Sequence, residues 1–320
     1  MKLRAVLLAL AAIVSGGVAH AETITVTHWG AAFYGAPYAV ARAKGYFQQQ
    51  GVNVTDFLTS TGGGTSVRNT LAGDLPFGEV ALPAAVDAIN HGQPLKIIAG
   101  GVNSVGDILW IAKKGSPLTS IKSLIGRRVG YTSPGSVTNM LILMALKAQG
   151  IEPSQVKLVA AGGIGANLAA AMSGALDAAM TGEPTWSENI DKVQPVFWVK
   201  DVLPANMTQT VCVTTDEYLG TGATKLRGLI AARRQGVEFI NSNPDEAADI
   251  VAKAYSGDAA LYRRVFRNLV SIHYWSDGRF DLEGMNRMVE GLQIVGKQTG
   301  PVDWSKIVDR SLLPADLASQ

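Results

Sequence analysis

The sequence predicts an α/β fold of two lobes with a ligand cleft between them, and three observations carry that expectation. Strand-like and helix-like segments alternate in short units, the pattern of sheets covered by helices. Two stretches rich in turn residues, Gly101-Ser104 and Asp201-Ala205, interrupt the alternation. The chain after Glu217 is mostly helical and has no sheet of its own, so its apolar faces must cover an earlier layer. Lobe one is therefore expected over 22–103, lobe two over 104–204, and a mostly helical return to lobe one over 205–320. A chain that crosses twice forms a hinge, and hinge closure around a ligand is a known use of that architecture.

Each element has a local reason. The β-branched run Thr23 to His28 reads as a strand. Ala36 to Tyr46 reads as a helix closed by Gly45, and Val52 to Leu58 as the next strand. Gly62-Gly63-Gly64-Thr65-Ser66 opens a helix running to Ala72. Phe77 to Leu82 is a strand, and Pro83 starts a helix where a missing N–H costs nothing. Leu95 to Ala99 and Ile108 to Ala112 are strands, and Ser120 to Ile125 is a short helix. Arg128 to Thr132, Val156 to Ala160, Leu176 to Met180, Val196 to Val199 and Gln209 to Thr214 complete the strands. Helices over Val137 to Gln149 and Ile164 to Ser173, and one starting at Pro184, separate them. Such alternation predicts parallel sheets. In the tail, Leu226, Leu229, Ile230, Val237 and Ile240 form the expected buried stripe.

The chain has 320 residues, of which 47% are hydrophobic and 17% charged. That balance suits a large buried core and excludes a disordered chain. A net charge of +2 also argues against a nucleic-acid binder. Lys2 and Arg4 precede the apolar run Ala5 to Val14, and Ala19-His20-Ala21 fits a small-x-small cleavage pattern. The run is shorter than the roughly 20 residues a membrane span needs. Residues 1–21 are expected to be a signal peptide cut after Ala21. The remaining chain carries 26 basic and 26 acidic side chains. Its single cysteine, Cys212, can form no internal disulfide. It is also too far from the cleavage site to carry a lipid. These features describe a soluble exported monomer, in the periplasm of a bacterium.

Enzyme signatures are missing. There is no H-E-x-x-H, C-x-x-C, Walker loop or G-x-S-x-G elbow, and Gly162-Gly163-Ile164-Gly165 lacks the dinucleotide-binding spacing. His28, His91 and His273 are scattered. No catalytic residue, metal site or cofactor is expected.

Two local constructions can hold a ligand. Gly62 to Ser66 and Pro134-Gly135-Ser136-Val137-Thr138 each follow a strand and open a helix, one in each expected lobe. A helix start offers free N–H groups and a partial positive charge. Ligands of open α/β sheets sit outside the carboxyl ends of the strands. The plainer reading of each is a loop that caps its helix.

At these residues the chain resembles a known family. The G-Y-F-x-x-x-G-V run (Gly45, Tyr46, Phe47, Gly51, Val52), Leu71-Ala72-Gly73-Asp74, and Ile121 to Gly130 fit it in order. Gly135-Ser136 and Leu176-Asp177-Ala178 followed by Glu183-Pro184 do so as well. The chain is similar to the periplasmic substrate-binding proteins of ABC importers for nitrate, sulfonates, taurine and thiamine-precursor pyrimidines. That resemblance implies a type II periplasmic-binding fold and delivery of a small-molecule solute to a membrane ABC permease, without nucleic acid as a partner. It leaves two alternatives open: an enzyme of the thiamine-pyrimidine-synthase type on the same fold, and a sensor subunit that presents its ligand to a receptor.

The resemblance also nominates site residues. Trp29, Phe33 and Tyr34 follow the first strand and can stack on a flat solute, or plug the lobe's own core. Thr65 and Ser66 follow, then Ser136, Val137 and Thr138. Glu183 can accept from an amine or amide, or pair with a nearby Arg, and Trp186 lies one turn on. Arg68 is the one cation beside these loops. The expected solute is small and organic, anionic or flat and heterocyclic, of the sulfonate, aromatic-acid or pyrimidine type.

Overall fold

A computed structural model describes residues 21–319. The expected leader, except Ala21, lies outside the described residues. Among the described residues, ten strands form two five-stranded sheets. They are β1 (Glu22–Val26), β2 (Val54–Leu58), β3 (Phe77–Ala81), β4 (Leu95–Val102), β5 (Leu109–Lys113), β6 (Arg128–Tyr131), β7 (Lys157–Ala160), β8 (Ala178–Thr181), β9 (Val193–Trp198) and β10 (Thr210–Thr215). The sheet orders are β2-β1-β3-β10-β4 and β7-β6-β8-β5-β9. The helices before the return are α1 (Ala36–Ala43), α2 (Tyr46–Gln49), α3 (Gly63–Ala72), α4 (Leu82–Asn90), α5 (Val137–Ala148), α6 (Ile164–Ser173) and α7 (Thr185–Glu188). After it come α8 (Asp216–Thr221), α9 (Ala223–Ser242), α10 (Pro244–Tyr255), α11 (Ala259–Ser271) and α12 (Leu282–Ile294).

The sheets are mixed, which corrects the expectation of parallel ones. β1, β2 and β3 run parallel, but β10 is antiparallel to both β3 and β4. In the second sheet β6, β7 and β8 run parallel, and β5 is antiparallel to β8 and β9. The reason is where those strands come from. β5 and β10 each enter a sheet straight from a crossing, without a helical crossover. They therefore run away from the crossing, while their neighbours run toward it. Both sheets end with one pattern: a strand from a crossing inserted at the fourth place of five.

One predicted helix divides. Ala36 to Tyr46 is broken by Lys44 and Gly45, and Gly45 has φ 72°, a conformation glycine adopts without a Cβ penalty. The helical tail behaves as its apolar stripe predicts. Leu226, Leu229, Ile230, Val237 and Ile240 are buried as α9 packs along α1 and α2. Gly236 and Gly228 let that helix approach the backbone carbonyls of Pro37 and Gln50. α12 covers α4 and α5 together, with Gly291 set against Met140. Every residue of α5 from Val137 to Leu146 is consequently buried. Among the described residues, no helix is long and apolar enough to cross a membrane.

Candidate functional site

The strand ends and helix starts of the two sheets face each other around a cavity of about 20 Å³. That is room for little more than one water. From the first sheet's side it is lined by Thr27, His28, Tyr34, Gly63, Ala81 and Thr210. From the second sheet's side it is lined by Thr132, Ser136, Val137, Thr138, Ile164 and Met180. Gly63, Val137 and Ile164 are the first residues of α3, α5 and α6, and Ala81 is the N-cap of α4. First-turn N–H groups have no intrahelical acceptor, so several helix starts aim donors and partial positive charge at one place.

Side chains complete the wall. Ser136 caps α5 by accepting from the Asn139 N–H at 3.2 Å. Thr138 Oγ1 accepts from the Thr132 N–H at 3.0 Å and lies 2.9 Å from Thr132 Oγ1. The Tyr34 hydroxyl donates to Gln209 Oε1 at 2.6 Å, and the Thr210 hydroxyl donates to Glu79 Oε1 at 2.7 Å. Thr27 is 1% exposed and its hydroxyl has no hydrogen-bond partner. His28 sits at φ 53° where the chain turns out of β1. Desolvation pushes its ring down to about 4, so a neutral imidazole faces the cavity at neutral pH.

A larger cavity, about 400 Å³, lies against the crossings. Ser104, Asp107, Glu183, Trp198 and Lys200 line it opposite Val265, Leu269 and Ile272 of α11. Burial pushes the Asp107 carboxyl up to about 7 and raises that of Glu183. Asp107 accepts from Gln209 Nε2 at 2.9 Å and from the Tyr274 hydroxyl at 3.0 Å. A hydrogen-bonded chain thus runs from Tyr34 through Gln209 to Asp107, joining the walls of the two cavities. The backbones of Ala32 and Pro184 pair across the sheets, next in sequence to Phe33 and Glu183.

The nominated residues divide. Tyr34, Ser136, Val137 and Thr138 meet in the small cavity, and Glu183 lines the larger one, held by the Ser187 hydroxyl at 2.9 Å. Of the three rings after the first strand, only Tyr34 lines the small cavity. Phe33 is fully buried, edge-on to Tyr262 and Phe266. Trp29 stacks on Phe57 at 3.9 Å and meets Tyr255 edge-on. Trp186 packs with Leu109, Ile111 and Val193 under the second sheet. Phe33 and Trp186 fill cores, and Trp29 is half-buried against one. Ser66 is buried against the Ser60 hydroxyl at 2.5 Å. Thr65 is exposed and accepts from Arg68 at 2.9 Å, which places that cation outside the cavity.

Thr27, His28 and Thr132 escaped nomination although a signal existed: each lies in the carboxyl end of a predicted strand, just past the end of the observed β1 or β6. Thr210 had no such signal, because β10 presents its amino end there.

Together, two mixed sheets joined by two crossings, with a polar cavity between their strand ends, are the periplasmic-binding-protein fold. The family described as NMT1/THI5-like matches residues 32–247, and the chain belongs to it. The riboflavin-binding protein RibY of Chloroflexus aurantiacus is 23% identical over 295 residues, covering 87% of this chain and 82% of that protein. The alkanesulfonate-binding protein SsuA of Xanthomonas axonopodis, solved with MOPS bound, superposes with a TM-score of 0.74 at 14% identity, over 91% of this chain and 98% of that one. The periplasmic nitrate-binding protein NrtA of Synechocystis gives a TM-score of 0.71 at 15% identity, over 93% and 90% of the two chains.

Proposed function

We propose that this chain is an exported solute-binding protein that captures a small organic molecule between two lobes and delivers it to a membrane ABC permease. The observation that carries the reading is the composition of the small cavity: half of its wall comes from each sheet, and helix starts from both supply N–H groups. As it stands the cavity has room for little more than a water, so a solute sits there with the lobes slightly further apart; touching both, it binds that nearly closed arrangement better than the open one. Only such a difference in affinity moves the equilibrium. The lobes are residues 22–103 with 205–320, and 104–204. They bend where the crossings lie side by side, the Val105 N–H donating to the Ala205 carbonyl at 2.8 Å.

The solute is anionic or flat and heterocyclic. The convergent helix starts favour oxygen-rich groups, and a riboflavin-binding relative supports a heterocycle. The protein binds without turnover. Cys212 is buried and its thiol is pushed up to about 12, which makes it a poor nucleophile. Its partner beyond the solute is the permease, and it acts as a periplasmic monomer.

Native mass spectrometry of the exported protein, incubated with a cell extract, tests this. The expected result is one retained small molecule, with a smaller radius of gyration in the loaded protein than in the stripped one. A stripped protein that is open and stays open with the recovered molecule at saturation rules the mechanism out.

A further inference from the structure

The hydrogen bonds behind the cavity wall fix which way its hydroxyls point, and this bears on the solute. Gln209 Nε2 faces two groups, the Ser104 carbonyl and Asp107 Oδ1 at 2.9 Å. A carbonyl can only accept, so the amide is locked with its oxygen toward Tyr34. Tyr34 must then give its proton to Gln209, at 2.6 Å. It has only lone pairs left for the cavity. Thr210 is in the same position. Its proton goes to Glu79 Oε1 at 2.7 Å, and Glu79 is held as an acceptor by Arg233 at 2.8 Å on its other oxygen. The N–H groups opening α3, α5 and α6 are donors to the same space. The Thr27 hydroxyl, 1% exposed and without a partner, belongs to a residue that lines the cavity.

Resting on the receptor reading above, we propose that the solute presents an N–H donor to Tyr34, flanked by carbonyl oxygens that accept from the helix starts. This is the edge of a cyclic amide or imide. An ion made only of acceptors, such as a sulfonate or nitrate, satisfies the helix starts but sets its oxygens against lone pairs at Tyr34. A site built to bind an N–H discriminates strongly against a ligand that lacks it, because its own buried groups are left unpaired.

Calorimetry on the full mature chain tests the proposal with uracil and lumichrome as imides, their N-methylated forms, and ethanesulfonate and nitrate as acceptor-only ions. At least one imide is expected to bind, with N-methylation weakening it about ten-fold or more. Tyr34→Phe, which keeps the ring, is expected to weaken the imide about ten-fold and to leave binding of the N-methylated form unaffected, while the melting transition falls because the buried Gln209 Oε1 loses its donor. Thr210→Val provides a second variant with the same expectation for binding, and it too lowers the melting transition, because Glu79 Oε1 loses its donor. The proposal is overturned if neither imide binds at millimolar concentration, if N-methylation has no effect, or if an acceptor-only ion binds more tightly than both imides. That last result leaves the receptor reading intact. The receptor reading fails separately, if the native protein retains no small molecule at all.

Discussion

Arg233 and Glu79 form an ion pair that solvent does not reach: Nε lies 2.8 Å from Oε2, with the two side chains 2% and 0% exposed. The remaining guanidinium nitrogens donate to the carbonyls of Ser276 at 2.7 Å and Gly101 at 2.8 Å. One residue of α9 is thereby fastened to β3 and β4, and through Glu79 to Thr210 at the start of β10. The returning helices are held to the first sheet by charge as well as by their apolar stripe.

Removing one partner leaves a charge uncompensated in a low dielectric. Arg233→Met is expected to cost about 3–5 kcal/mol of stability, and adding Glu79→Leu to recover a large part of it. Urea denaturation of the single and double variants measures both. A double variant no more stable than Arg233→Met would mean that the bonds to Ser276 and Gly101, not the lost charge balance, carry the energy.

Two groups near the cleft give opposite pH dependences. Asp107 is raised from 3.8 to about 7, so the folded state holds its proton where the unfolded chain has lost it, and stability falls as pH rises through that window. His28 is lowered from 6.5 to about 4, so the unfolded chain holds the extra proton and stability falls as pH drops below 6.5. Between about pH 4 and 6.5 these two contributions offset each other in the parent. Asp107→Asn should make stability rise with pH there by about 1.4 kcal/mol per unit, and His28→Gln should make it fall. Chemical denaturation across that range checks the signs, and equal slopes in parent and variants would refute the assignment.

Two glycines sit where loops from the two sheets meet. A Cβ on Gly62 would stand 2.8 Å from Ser133 Oγ, and one on Gly163 would stand 3.0 Å from Thr61 Cγ2. Their φ values, −159° and −62°, suit any residue, so a side chain there strains the seam rather than the backbone. Gly62→Val with Gly163→Val is expected to hold the lobes apart. Scattering should show an open particle even after loading conditions that close the parent, with a melting temperature within a few degrees. Closure of the double variant to the parent's dimensions would show that the seam yields.

Neighbouring aromatics have different work. Phe33→Ala empties a fully buried site and should cost about 3–5 kcal/mol. Trp29→Ala removes a half-buried ring stacked on the buried Phe57 and should lower stability without changing retention of the solute seen by mass spectrometry. Loss of that retention in folded Trp29→Ala protein would return this ring to the site.

The sequence by itself determined the alternation of strands and helices and the tail's buried stripe. These depend on local pattern: β-branched runs, turn residues, and apolar side chains at helical spacing. It also found the start of α5, where Ser136 to Thr138 follow a strand and cap a helix. Only the tertiary structure decided which rings meet the cleft. Trp29, Phe33 and Tyr34 share one short loop, and nothing in their spacing separates them. Phe57, Tyr262 and Phe266, far along the chain, claim the first two, while Gln209 turns the third into the cavity wall. Strand direction was equally hidden. β5 and β10 have the composition of their neighbours, and they run the other way because each enters its sheet from a crossing. Residue pattern specifies what a segment is, while its direction and neighbours depend on where the chain has come from.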